Sequence, residues 1–458
     1  MAYRMWEIME RARKGPFMEQ EDFIYNRIIP NMREVVKKYG IKYDPAHPIP
    51  ADDDLADRVW QAAVEFFLKT GVYNQDTHRI IECTEREVKE ALYAAPDHYL
   101  VGTGKEERTF GHREVEDQRP PFVIMSPDIT YDEPDHLASC LAYLKEPLMD
   151  GICSPLLEEF MGMKIRAGSP VELGGCIEHA MNLRQAAKLV GRPGMFFVAV
   201  GTAESDMAQI AVSDNDWGVR TTDGRLVGTI TEMMTNNAML NKAAHYQQFG
   251  CFGGSLTGAI FGGYAGGAEG TAVLETAYHL KGLMVHQCQF QQSFPFHLQY
   301  GSNTGREMLW VVSIFSQAVA RNSHLVQDSN GFANAGPGTD MLYYETAAHA
   351  LASTVSGNNL WEMAPARNKH HNRGTPLECR LAAEVGHAVA RQGMTRAQAN
   401  EIAQKLLAKY EEQISTAPMG KTFQEMYDVR RAVAKPEFED QYYRIKEEIA
   451  GMGIQFIY

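Results

Sequence analysis

Residues 195–206 read MFFVAVGTAESD. Six apolar residues, rich in phenylalanine and valine, stop at a glycine and give way to small polar and acidic ones. An unbroken run of this length is the mark of a strand buried on both faces, as in a parallel sheet. Ahead of it, Glu172–Val190 carries apolar residues at helical spacing. The same unit recurs outward in both directions. Apolar runs stand at Phe122–Met125, Leu148–Cys153, Met195–Val200, Leu226–Ile230, Cys251–Leu256, Leu283–Cys288, His324–Val326 and Asn359–Met363. Helices are predicted over Glu172–Val190, Glu232–Gln248, Arg306–Arg321, Asp340–Ser356 and Glu378–Arg391. Eight strands alternating with helices define an α/β chain and predict a (β/α)8 TIM barrel. An open doubly wound sheet shares the alternation; the count of eight favours closure.

The barrel is expected over residues 121–393, with helical extensions on both sides. Residues 1–120 read as a helical N-terminal layer. Asp52–Leu68 has helical spacing, Glu85–Ala94 is a short helix capped by Thr84, and nothing there alternates like a strand. Residues 394–458 turn helical and charged (Thr395–Gln413, Phe438–Ala450) and are expected to pack on the barrel. With 458 residues, 45% hydrophobic and 22% charged, and no repeat, one compact unit is expected. A net charge of −14 without a basic run excludes a nucleic-acid groove as the main surface. The start, MAYRMWEIMERARKG, lacks the apolar core of a signal peptide, and no window approaches the roughly 18 apolar residues of a membrane span. Seven scattered cysteines without CxxC read as reduced thiols. A cytoplasmic protein without membrane or nucleic-acid partners is expected.

Chemistry in such a barrel gathers at the carboxyl ends of the strands. The segments predicted there are Ser126–Asp128, Gly201–Asp206, Gln289–Gln292 and Gln327–Asn330, rich in amides and poor in paired acids or bases. Glu204 and Asp206 serve equally well as helix-start acids. His286, Cys288 and His297 are of zinc-binding type but lack an evident fourth ligand, and no metal is expected. Phe290–Tyr300, FQQSFPFHLQY, holds four aromatics whose faces suit a quaternary ammonium, or simply a core or subunit interface. Gly250–Gly267, GCFGGSLTGAIFGGYAGG, has eight glycines and no charge, without the spacing of a phosphate or dinucleotide loop. It fits a flat, bulky partner close to the backbone, or tight helix–strand packing.

Six segments, in order along the chain, resemble the monomethylamine:corrinoid methyltransferases of methanogens. They are Gln75–Ile80 (QDTHRI), Gly191–Met195 (GRPGM), Phe261–Gly267 (FGGYAGG), Gly301–Glu307 (GSNTGRE), Ala335–Pro337 (AGP) and Ala417–Val429. The resemblance implies a (β/α)8 barrel, a homo-oligomer (a hexamer in the family), and a separate corrinoid protein as partner. That partner brings cobalt as Co(I) over the barrel mouth, so no cofactor is held permanently. Gly262, Gly263, Gly266 and Gly267 are then expected to face the corrinoid.

The departures bear on the substrate. The family's pyrrolysine follows GRPGM, and here its place falls among Val198, Ala199 and Val200, all inert. The two glutamates around it fall on Leu226 and Leu256, and its glutamine on Asn330. Losing the acids together with the group they serve is coherent, because an orphaned buried charge costs several kcal/mol. What remains is a methyltransferase whose donor already carries a good leaving group, such as a quaternary ammonium. Substrate-binding candidates are Glu204, Tyr264, Gln289, Tyr300, Asn303, Gln327 and Asn330 with Leu226 and Leu256, and Arg306 for a carboxylate unless it pairs with a neighbour. Other readings stay open: a sulfonium or methyl-ether donor, with or without zinc, and a non-catalytic protein that binds a methylated amine.

Overall fold

The computed structural model describes residues 2–458. Eight parallel strands form one sheet: β1 (Val123–Met125), β2 (Gly151–Cys153), β3 (Phe196–Ala199), β4 (Gly224–Gly228), β5 (Phe252–Thr257), β6 (Phe290–Ser293), β7 (Val326–Phe332) and β8 (Asn359–Ala364). Pairing of β8 with β1, Leu360 opposite Val123, curls the sheet into a barrel. The outer layer comprises α1 (Glu133–Leu144), α2 (Pro170–Leu189), α3 (Asp206–Ala211), α4 (Asn237–Phe249), α5 (Ala268–Lys281), α6 (Arg306–Asn322), α7 (Asp340–Val355) and α8 (Pro376–Gln392), one after each strand. This is the (β/α)8 architecture that the alternation predicts. No helix among the described residues is long and apolar enough to cross a membrane.

The seventh strand, expected over His324–Val326, runs Val326–Phe332, and the sixth is not where the apolar pattern puts it at all. Leu283–Cys288 lies mostly in a buried π-helical turn, Gly282–His286, and β6 begins at Phe290. Its glutamines are tolerated for a local reason. Gln291 accepts a hydrogen bond from Ser255 Oγ (2.6 Å) and donates to the Cys288 carbonyl, and Gly282 leaves the space that its side chain fills.

Along each strand, alternate side chains turn inward. Phe122, Phe196, Val198, Phe290, Val326 and Trp361 form a buried interior cluster. Its lower end is stoppered by an N-terminal hairpin, His98–Val101 with Arg108–Gly111. Phe110 stacks on Phe122 (ring centroids 4.5 Å apart) and lies 5.4 Å from Phe290, while Tyr99 meets Phe252. The N-terminal layer is therefore not purely helical. A second pair of short strands, Val72–Asn74 and Arg79–Ile81, adds Met234–Thr235 from the loop after β4 as a parallel neighbour. Helix Asp53–Thr70 packs on α5 and α6, and the C-terminal helices Arg396–Tyr410 and Pro436–Ala450 share a core with α7 and α8.

One seam in the barrel has no ladder: β3 and β4 lie side by side without mutual strand pairing. Asp223, just before β4, bridges them. Its carboxylate accepts the Phe197 N–H (3.0 Å) and the Arg220 N–H (2.8 Å) and pairs with the Arg184 guanidinium of α2. Arg184 and Asp223 side chains are 3% and 1% exposed, and Arg184 stacks on the Phe197 ring at 3.7 Å. Burial pushes the Arg184 pKa down to about 10. Replacing Asp223 by Ala strands a buried cation and frees a strand N–H. Asp223→Ala is expected to lower the unfolding free energy by about 3–5 kcal/mol in urea titration, and adding Arg184→Met to recover part of the loss.

Candidate active site

Where the strands end, their side chains leave a cavity of about 510 Å³. Ala199 and Val200 at the end of β3, Leu226 of β4 and Leu256 of β5 make one apolar wall. Across the mouth stand Asp128 after β1, Asn330 and Phe332 of β7, Trp361 of β8 and Phe294 after β6. Glu204, Met239 and Lys242 close the rim on the β3–β4 side.

Asp128 is the polar centre of the second wall. Its carboxylate accepts from Ser126 Oγ and from Asn330 Nδ2, each at 2.5 Å, and the Trp361 indole lies against it. Every donor is neutral. Enclosure by protein raises its pKa, and the hydrogen bonds oppose that rise. The backbone at Asp128 is left-handed (φ 48°), a conformation that aspartate tolerates better than most residues. On the β3–β4 side, Lys242 is 5% exposed and its ammonium donates to the Glu204 carbonyl oxygen. Cys153 also lines the cavity, but burial pushes its thiol pKa far up, so it stays a neutral thiol.

Leu226, Leu256 and Asn330 converge on this cavity with Ala199 and Val200, whereas Val198 belongs to the interior cluster beneath. Other candidates sit elsewhere. Gln289 precedes β6 and accepts the Gly253 N–H (2.7 Å) at the opposite end of the barrel, a consequence of the displaced strand. Gln327, at the start of β7, donates to the Ser316 and Gly357 carbonyls. Asn303 is a buried strut, donating to the Asn330 carbonyl and accepting the Phe332 N–H, both at 2.7 Å. Arg306 pairs with Glu411 at 2.6 Å and with Gln404, which fulfils the pairing alternative. Tyr264 and Tyr300 sit on the loops after β5 and β6 and do not line the cavity; Tyr300 rests on His297.

The glycine segment has mostly local causes. A side chain at Gly254 would enter the Phe290 ring, and Gly262 and Gly266 have positive φ (both 87°). Gly262, Gly266 and Gly267 nonetheless lie exposed on the loop after β5, with Gly263 half-buried beside them, and none of the four lines the cavity. His286, Cys288 and His297 are not gathered: His286 bonds Thr235, Cys288 meets Tyr246, and His297 stacks on Phe261. Among the described residues no three His, Cys, Asp or Glu side chains come together as a metal site.

A parallel barrel with a part-apolar cavity and few convergent polar groups at its strand ends defines an enzyme scaffold that binds a small molecule. The chain belongs to the monomethylamine methyltransferase MtmB family, whose model matches residues 3–454. It is 28% identical over 457 residues to monomethylamine methyltransferase MtmB2 of Methanosarcina acetivorans and to MtmB of Methanosarcina mazei, covering 99% of each chain. The crystal structure of the Methanosarcina barkeri monomethylamine methyltransferase superposes with a TM-score of 0.95 at 27% identity, covering 99% of this chain and 98% of that one. The hydroxylamine MtmB complex gives the same values.

Beneath the loop after β5 lies one more acid. Glu232 is buried under the Gly262–Gly267 segment against the N–H groups of Tyr264 and Ala265, and a side chain at Gly263 would meet its carboxylate at 2.8 Å. Burial raises its pKa from 4.5 to about 7. In the unfolded chain it loses its proton first, so stability is full below pH 4.5 and falls as pH rises through 7. Glu275 and Glu378, also raised to about 7, act in the same direction. Glu232→Gln is expected to flatten the decline of unfolding free energy between pH 5 and 8, read from denaturant titrations at each pH.

Proposed function

We propose that this chain moves a methyl group from a quaternary ammonium compound to the reduced corrinoid of a partner protein, without pyrrolysine. The cavity carries this reading. Where the resemblance puts the family's pyrrolysine and its two glutamates, the cavity is lined by Ala199, Val200, Leu226 and Leu256, which can neither form an adduct with an amine nor protonate one. The remaining groups suit a permanent cation. Phe294, Phe332 and Trp361 offer ring faces to an onium ion, and Asp128 offers a carboxylate with no cation of its own.

The chemistry then asks little of the protein. The N–CH3 bond breaks with its electron pair on nitrogen, a neutral tertiary amine leaves, and no general acid is needed. The corrinoid, when its carrier docks, supplies the nucleophile that takes the methyl group. Asn330 and Ser126 hold Asp128 in place, the leucines and Val200 keep the donor out of water, and the fixed walls orient the N–CH3 bond. The exposed backbone at Gly262, Gly266 and Gly267 carries no side chain to obstruct a broad, flat group at the mouth. The corrinoid arrives with its partner, and the chain itself works as a cytoplasmic homo-oligomer.

A donor screen with free cob(I)alamin, following methylcobalamin formation, is expected to give turnover with trimethylammonium compounds and none with monomethylamine. Brisk turnover of monomethylamine, or pyrrolysine detected by mass spectrometry in the peptide after Met195, would overturn the proposal. Preference for a sulfonium or a methyl ether would reassign the donor. Asp128→Asn keeps the shape and removes the charge, and is expected to lower kcat/KM for the preferred onium donor about tenfold or more.

A further inference from the structure

The barrel interior holds a polar pair that the rest of the protein leaves alone. Gln292 of β6 and Asp328 of β7 stand in register on parallel neighbours, strands that lie about 4.8 Å apart. Alternation puts both on the inward face, Gln292 next after Phe290 and Asp328 between Val326 and Asn330. Both are fully buried. Among the described residues neither side chain has a hydrogen-bond partner, and the two do not bond each other. Asn330, one tier higher, gives Nδ2 to Asp128 and keeps an unpaired Oδ1. Burial alone acts on Asp328, raising its pKa well above 3.8, with no hydrogen bond or charge among the described residues to oppose the rise.

Buried polar atoms nearly always find partners, so a group of them without any points to something held between them. The kind of atom says what it is. Both oxygens of Asp328, Oε1 of Gln292 and Oδ1 of Asn330 are acceptors. A proton on Asp328 would remove the charge but supply a single O–H to the remaining oxygens. Water would serve the amides and leave a carboxylate charge buried without compensation, which is costly. A cation serves all of these oxygens at once. One carboxylate balances one positive charge, and carboxylate with amide oxygens suits a hard ion rather than zinc or another transition metal.

We infer that the barrel interior binds a monovalent alkali cation, potassium or sodium, between Gln292 and Asp328. The site is distinct from the donor cavity, which neither side chain lines. Its effect reaches that cavity through Asn330. With Oδ1 on the ion, the Asn330 amide cannot turn over, and Nδ2 stays on Asp128. Gln292 and Asp328 are thus positioning residues that also tie β6 to β7. The competing role for Asp328 is a protonated side chain among ordered waters.

Melting of the full-length protein, freed of alkali salts by dialysis against Tris chloride, separates the two. Potassium or sodium chloride is expected to raise the melting temperature by about 3 °C or more above Tris chloride of equal ionic strength. Asp328→Asn keeps the shape, removes the charge and is expected to abolish that difference. Parent crystals soaked in thallium(I) acetate, whose cation replaces potassium and scatters anomalously, are expected to show a peak between Asp328 and Gln292. That measurement decides the matter even if the variant does not fold. Melting indifferent to the cation would overturn the inference, as would an Asp328→Asn variant that keeps the full salt response. A thallium map with no peak at this place would do the same, since that is the result for a protonated Asp328.

Discussion

Where β3 and β4 meet without a ladder, one buried carboxylate bridges the two strands directly. Elsewhere around the ring, ladders of backbone hydrogen bonds hold neighbouring strands in register. At this seam Asp223 does the work from the base, holding the Phe197 N–H and the Arg184 guanidinium together. The cavity walls rise from the same two strands. Ala199, Val200, Leu226 and Gly228 can line one space only if β3 and β4 stay side by side. A buried ion pair is weak evidence for stability in general. Here it has a definite geometric task, which an apolar pair of equal volume could not perform for the Phe197 N–H.

The scaffold around the cavity is shared closely with the family. With a TM-score of 0.95 against a relative at 27% identity, the barrel has stayed constant while side chains were exchanged. Apolar residues occupy one wall and neutral donors hold a carboxylate on the other. Such a space favours charge brought in by a ligand over charge generated by proton transfer. The buried thiol of Cys153 fits the same pattern, held far from its reactive form.

Much of the fold was legible in the sequence because parallel strands buried on both faces leave unbroken runs such as MFFVAV. The sixth strand is the instructive exception. FQQS is polar, yet it is a central strand because Ser255 and a backbone carbonyl satisfy Gln291, and those partners come from outside the strand. Leu283–Cys288 imitates a strand because its π-helical turn is equally buried. At the site, resemblance pointed to Leu226, Leu256 and Asn330, while Asp128 stood unremarked in a strand-end segment. Trp361 and Phe332 were hidden for another reason. A side chain that fills the barrel and one that lines its mouth differ only in height along the axis, which depends on strand stagger. Lys242 looked like an ordinary helix residue, and its burial depends on a carbonyl 38 residues earlier.

The aromatic stopper at the base of the barrel has a bearing on how the chain is made. Phe110 and Tyr99 leave the ribosome before any barrel strand, yet they seat against Phe122, Phe252 and Phe290, the last of them 180 residues downstream of Phe110. Contacts so distant along the chain form late and slowly. Rings made ahead of every barrel strand are thus among the last to find their seat. Until the ring of strands has gathered around them, those rings are apolar surface without cover.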